Sequence, residues 1–195
     1  MAQPVKFLCL AGSTRAASYN RKLAHAAGAI ATQAGAEVTV LEPRDYIMPL
    51  YDGDLEERDG PPAPAIALKA IFQAHQAIFI ASPEYNASTS PFLKNAIDWV
   101  SYVKVPGEEP LAAYKNRVFA LGAASPGGYG GMRGLIALRQ VFELGLGAFV
   151  IPDQIALPGA MQAFDDIGAL KDERMAAMLK KVVTKLIATS ERLAV

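Results

Sequence analysis

The stretch Val5-Lys6-Phe7-Leu8-Cys9-Leu10-Ala11-Gly12-Ser13-Thr14-Arg15-Ala16-Ala17-Ser18-Tyr19-Asn20-Arg21-Lys22-Leu23 changes character at Gly12. Up to Ala11 it is an apolar run of strand length, as expected of a strand buried on both faces. Beyond Gly12 it is crowded with hydroxyls around one arginine. From about Asn20 a helix is expected, because Leu23, Ala27, Ile30, Ala31 and Ala34 recur at helical spacing. Strand, polar loop and helix together make the first half of a βαβ unit.

The alternation continues along the chain. Further strands are expected at Glu37 to Leu41, Ala77 to Ser82, Arg117 to Ala123 and Ala148 to Ile155. Helical spacing recurs at Ile66, Lys69, Ala70 and Gln73, and again at Leu93, Ala96, Ile97 and Val100. Two more helices are expected, from about Met132 to Leu144 and from about Asp172 to Leu193. Five strands with crossover helices imply an α/β domain over 1–195 with a parallel sheet covered on both faces. Pro43 to Pro64, "PRDYIMPLYDGDLEERDGPPAP", is rich in Pro, Gly and Asp and reads as a long surface loop, with a partner or lid role in view. Pro158 to Leu170 reads as a second irregular stretch.

Composition narrows the function. The 195 residues carry 19 basic and 19 acidic side chains, so the net charge gives no electrostatic case for nucleic acid or an anionic membrane. No apolar run approaches the ~18 residues of a membrane helix. Ser13, Thr14 and Arg15 interrupt the first apolar run before it could form a signal-peptide core, so a cytoplasmic location is expected. Cys9 is the only cysteine, which excludes an intrachain disulfide, and its setting is that of a small buried hydrophobe. His25 and His75 fall in helical patterns with no partner cluster, so neither a metal site nor a histidine base is expected.

In an open parallel sheet, ligands bind outside the carboxyl ends of the strands where the strand order reverses. If the strand order is 2-1-3-4-5, three loops converge there. In the first, Ser13, Thr14, Ser18 and Asn20 offer neutral donors, Arg15 offers a planar cation, and a helix N-terminus stands behind them, a combination suited to a phosphate. The bland alternative is a plain helix cap at Ser18. The chain has neither G-x-x-x-x-G-K-[ST] nor G-x-G-x-x-G, so a monophosphate held mainly by side chains fits better than a nucleoside triphosphate or a fingerprint dinucleotide site. The second loop, Ser82 to Pro91, offers the aromatic plane of Tyr85 and the amide of Asn86, or simply a turn followed by a Ser90-Pro91 helix start. The third, Ala124 to Gly134, has enough glycine for a close backbone approach, or for a flexible link with no ligand.

Pro83-Glu84-Tyr85-Asn86 with Leu93-Lys94-Asn95-Ala96-Ile97-Asp98-Trp99, "PEYN…LKNAIDW", and the first-loop pattern Gly12-Ser13-x-Arg15-x-x-Ser18-x-Asn20 resemble the signatures of the NADPH-dependent FMN reductases, a family that includes quinone, azo-dye and chromate reductases. The resemblance covers nearly the whole chain. It implies a flavodoxin-like three-layer sandwich, with FMN as cofactor and NADPH or NADH as hydride donor. Ser13, Arg15, Ser18 and Asn20 would hold the FMN phosphate. Pro83, Glu84, Tyr85 and Asn86 would line the flavin ring, and Ser125, Gly127 and Gly128 would face it from the third loop. The hydride would pass to flavin N5 and the electrons to a small-molecule acceptor by a ping-pong scheme, with no protein nucleophile required. The second loop departs from the family pattern, with Ala87 to Phe92 where relatives often carry a glycine before the helix. The family usually forms dimers or tetramers, and Trp99, which with Asp98 and Tyr102 cannot wholly face the sheet, reads as an outward aromatic at such an interface. Two rival readings are a non-enzymatic FMN electron carrier and a flavin-free binding domain of the same fold. Carriers of that kind tend to be strongly acidic, which this chain is not.

Overall fold

The computed structural model describes residues 3–193. Five parallel strands, β1 (Lys6–Ala11), β2 (Glu37–Val40), β3 (Ala77–Ala81), β4 (Val118–Ala124) and β5 (Phe149–Leu157), form one sheet in the order β2-β1-β3-β4-β5. This is the expected 2-1-3-4-5 order. It reverses between β1 and β3, so the carboxyl ends of these two strands and of β4 open onto a common crevice.

The strand residues alternate between two apolar layers. Phe7, Cys9, Ala11, Phe79 and Ala120 pack with Leu23, Ala27 and Ala31 of α1 (Tyr19–Gln33) and with Leu179, Val183 and Leu186 of α6 (Glu173–Leu193). Leu8, Leu10, Ile78, Ile80 and Phe119 point the other way. They meet α3 (Ala63–Ala74), α4 (Pro91–Tyr102) and α5 (Met132–Arg139) through Leu68, Phe72, Leu93, Ile97, Leu135 and Leu138. Both sheet faces are therefore covered, which explains why β1, β3 and β4 read as unbroken apolar runs. Cys9 is buried in the first layer, and its burial pushes the thiol far above its usual range. His75 closes α3, with ring nitrogens 2.7 Å from Ile71 O and 2.9 Å from Thr39 Oγ1, while His25 is exposed on α1.

Three expectations need correction. The segment Pro43 to Pro64 is not structureless: it holds a 3₁₀ turn at Pro43–Tyr46 and a short helix, α2 (Gly53–Asp59), which Asp52 caps by accepting from Asp54 N at 2.9 Å. The helix expected from Met132 to Leu144 stops at Arg139 and continues as a π-helical turn over Gln140–Gly145. Trp99 does not face an interface. It points away from the sheet but is fully buried beneath the 43–64 segment, donating from Nε1 to Pro49 O at 2.7 Å and meeting Tyr51 edge-on at 5.0 Å. Asn95, one turn earlier, accepts from Tyr51 N at 2.8 Å and donates to Pro49 O at 2.8 Å. The outward side chains of "LKNAIDW" thus fasten this segment onto α4, so a stretch without a hydrophobic period of its own is still ordered.

Candidate functional site

Each of the three loops is shaped by local chemistry before any ligand is considered. In the first, Ser18 is the N-cap of α1: its Oγ accepts from Asn20 N at 3.2 Å and Arg21 N at 3.4 Å. Ser18 is therefore a helix cap, and its hydroxyl still lines a cavity and keeps its own proton to donate. Ser13 Oγ accepts from Arg15 N at 3.4 Å. The N–H groups of Thr14, Ala16 and Ala17 have no partner among the described residues. The Arg15 guanidinium lies over the Tyr19 ring, 5.3 Å from its centroid, and spends one N–H on Ala17 O. It pairs with no carboxylate among the described residues.

In the second loop, Tyr85 and Ser88 exchange two backbone hydrogen bonds of 3.0 Å across Asn86 and Ala87, which both have positive φ, 50° and 62°. Such a turn favours Asn followed by Gly. Ala87 is therefore strained, because a Cβ in the left-handed region costs about 1 kcal/mol. Ala87→Gly is expected to stabilise the protein by roughly 1 kcal/mol and raise its melting temperature by about 2–4 °C, measured by thermal unfolding. An unchanged or lower melting temperature would contradict the strain.

Glu84 is held by the start of α5. It binds the Arg133 guanidinium, and its Oε2 accepts from Gly134 N at 3.2 Å. Burial pushes its carboxyl up, but the Arg133 guanidinium and the backbone N–H groups outweigh this and hold it below the usual carboxylate range. Glu84, its carboxyl held below the usual carboxylate range, ties the second loop to the start of α5 and is poorly suited to act as a general acid near neutral pH. In the third loop, Ser125 N donates to Leu157 O at 3.0 Å, and Ser125 Oγ accepts from Gly127 N at 3.2 Å.

These loops enclose a cavity of about 300 Å³. Ser13, Arg15, Ser18 and Asn20 reach it from the first loop, Pro83, Glu84 and Tyr85 from the second, and Ser125 from the third. Asn86 sits at the exposed turn, and Gly127 and Gly128 on the exposed rim, none of them among its lining residues. Tyr19, Ala124 and Pro126 also line it, although no motif singles them out in the sequence. Asn20 has a further structural role, because Nδ2 donates to Ala124 O and Oδ1 accepts from Ala124 N, both at 2.9 Å. Its amide works as a missing rung at the end of β4, joining the first loop to the third across 104 residues. A partner so distant in sequence leaves no local signal.

A second cavity of about 390 Å³ adjoins the first, sharing Ser13, Arg15 and Tyr85. Arg44, from the 3₁₀ turn, also lines it. A larger, mainly apolar groove of about 460 Å³ lies between α1, α6 and residues 167–170, away from the three loops. Among the described residues there is no group of three or more metal-ligating side chains, and no helix is long and apolar enough to cross a membrane.

The family model described as NADPH-dependent FMN reductase matches residues 5–162. A quinone reductase of Escherichia coli is 35% identical over 162 residues, covering 83% of this chain and 81% of that protein. An NAD(P)H-dependent FMN reductase of Pseudomonas aeruginosa is 30% identical over 187 residues, 95% of each. Among solved structures, the flavoenzyme NAD(P)H:(acceptor) oxidoreductase of Paracoccus denitrificans superposes with a TM-score of 0.80 at 25% identity, covering 96% of this chain and 98% of that one.

Proposed function

Since the chain belongs to the NADPH-dependent FMN reductase family, we propose that it is an FMN-dependent oxidoreductase whose cofactor sits in the 300 Å³ cavity at the ends of β1, β3 and β4. The observation that carries this reading is the donor set of the first loop: an arginine with no carboxylate partner and loop N–H groups with no acceptor among the described residues, and two hydroxyls at the N-terminus of α1. A phosphate monoester carries roughly −1.5 to −2 charges at neutral pH, which one guanidinium and several neutral donors match. Bound FMN would supply the redox chemistry, accepting a hydride from NADPH or NADH at N5 and yielding two electrons to a quinone, azo, chromate or free-flavin acceptor.

The chain's own residues bind and orient. Ser13, Ser18 and Arg15 hold the phosphate, and Asn20 keeps the first and third loops in register. Pro83, Tyr85 and the backbone of Glu84 and Asn86 line the ring on one side, and Ser125, Gly127 and Gly128 flank it on the other. Glu84 acts through its ion pair with Arg133, fixing the loop that carries Tyr85. The names of the relatives describe enzymes rather than electron carriers, which favours turnover.

Initial rates with NADPH and a benzoquinone, each varied at several fixed concentrations of the other, test the scheme. Parallel double-reciprocal lines are expected of two half-reactions on one bound flavin, and absence of turnover would leave the carrier reading standing. The same proposal includes a cytoplasmic homodimer or homotetramer, supported by the exposed Tyr129, Met132 and Ile136 around α5. A monomer in light scattering at micromolar concentration would overturn the assembly.

A further inference from the structure

We propose that Arg44 forms a phosphate subsite in the second cavity, taking the 2′-phosphate of the hydride donor and setting a preference for NADPH over NADH. The inference rests on the reading of the first cavity as the FMN site and adds a recognition residue from a segment that no motif covers.

Arg44 is held in place by its surroundings. Its Nε donates to Thr14 O at 3.0 Å, anchoring the guanidinium to the first loop, and its terminal nitrogens have no partner among the described residues. Its backbone N–H donates to Glu42 Oε1 at 3.3 Å, and the other oxygen of Glu42 binds Arg21. Further along, the clamp of Asn95 and Trp99 on Pro49 and Tyr51 fixes the same segment to α4. The nearby acid Glu42 is thus already engaged, and no carboxylate pairs with Arg15 or Arg44 among the described residues.

The chemistry of the cavity is one-sided. Arg44, which no carboxylate pairs with among the described residues, lines it with Thr14 and Ser90, no acidic residue is among its lining, and Phe92 and Tyr85 lie alongside as aromatic surface for a nucleoside. Planar N–H pairs suit phosphate oxygens, and a guanidinium binds a dianionic monoester more strongly than the singly charged phosphates of a pyrophosphate. The shared lining residues Ser13, Arg15 and Tyr85 make the two cavities contiguous. A donor held in the second cavity therefore lies beside the cofactor in the first.

The test compares wild type, Arg44→Ala and Arg44→Lys, each loaded with FMN, using an uncharged benzoquinone as acceptor. Loss of charge-assisted bonds is expected to raise KM for NADPH about 10- to 100-fold in Arg44→Ala, with kcat and the KM for NADH within about twofold of wild type. Arg44→Lys keeps the charge without the planar pair and is expected to fall between, which also guards against a folding defect in the alanine variant. By calorimetry, adenosine 2′,5′-bisphosphate is expected to bind wild type more tightly than adenosine 5′-monophosphate does, and to lose that advantage in Arg44→Ala. An equal rise in KM for both donors would place Arg44 on a phosphate common to them, and no rise would remove it from the donor site. Either result overturns the proposal, as does bisphosphate binding that is indifferent to the substitution. Failure of wild type to retain flavin would instead strike the cofactor assignment, and the calorimetric comparison would still decide the subsite.

Discussion

Asn20→Ala is expected to lower the melting temperature by roughly 6–12 °C, although it removes no hydrophobic contact. The substitution leaves both the N–H and the C=O of Ala124 without their partner in a position where both residues are buried. An orphaned buried polar group costs about 1–3 kcal/mol, so two of them cost about 3 kcal/mol or more. For a chain of this size each kcal/mol is worth about 2–4 °C. Thermal unfolding followed by circular dichroism reads the effect. Ser18→Ala provides the scale, since a lost helix cap alone costs about 1 kcal/mol. A drop for Asn20→Ala no larger than that for Ser18→Ala would mean that water replaces the amide and that the two loops are not joined through it.

Gly130→Ala is expected to be as damaging, for a steric reason. Gly130 has φ of 61°, and a Cβ there would lie 2.7 Å from Ala156 C, 2.8 Å from Pro158 N and 2.9 Å from Leu157 C. All three are backbone atoms at the end of β5, so no side chain can swing aside. Left-handed strain of about 1 kcal/mol and overpacking of about 1–3 kcal/mol together predict a loss of roughly 2–4 kcal/mol. Because the third loop must shift to make room, FMN affinity is expected to fall at least about tenfold, the equivalent of about 1.4 kcal/mol. Gly159→Ala isolates the two contributions. It has φ of 58° with nothing within 4 Å of the new Cβ, so it should show the strain alone and leave FMN binding unchanged. Equal losses for both variants would show that packing against β5 is not what fixes the loop.

What the sequence reveals and what it hides divide along physical lines. The strands, the covered faces and the cap at Ser18 follow from short-range patterns: apolar runs for doubly buried strands, helical spacing for crossovers, and a hydroxyl just before a helix; the strand order follows only from the family resemblance. Ser90 likewise caps α4, with Leu93 N donating to its Oγ at 3.3 Å and Pro91 following as the first helical residue. Features set by distant partners are not legible. Trp99 reads as outward because its cover, Pro49 and Tyr51, belongs to a segment whose proline and aspartate content suggests a bare loop. The pairing of Asn20 with Ala124 leaves no trace in the sequence, because it exists only after β1 and β4 are both in the sheet. Arg44 carries no signal at all, since its proximity to Thr14 depends on the fold of residues 43–51 against α4. The π-helical turn at Gln140–Gly145 keeps an apolar pattern close to that of an α-helix, so its extra residue is invisible to periodicity.

The most direct test of the central claim is the visible absorbance of the purified protein after incubation with FMN and desalting, followed by anaerobic addition of NADPH. A flavin band that survives desalting and bleaches on addition is the predicted result, because the cavity at the ends of β1, β3 and β4 would then hold the cofactor within reach of a hydride donor. A protein that emerges colourless would contradict the account, since the donors around Ser13, Arg15 and Ser18 would be serving some other anion.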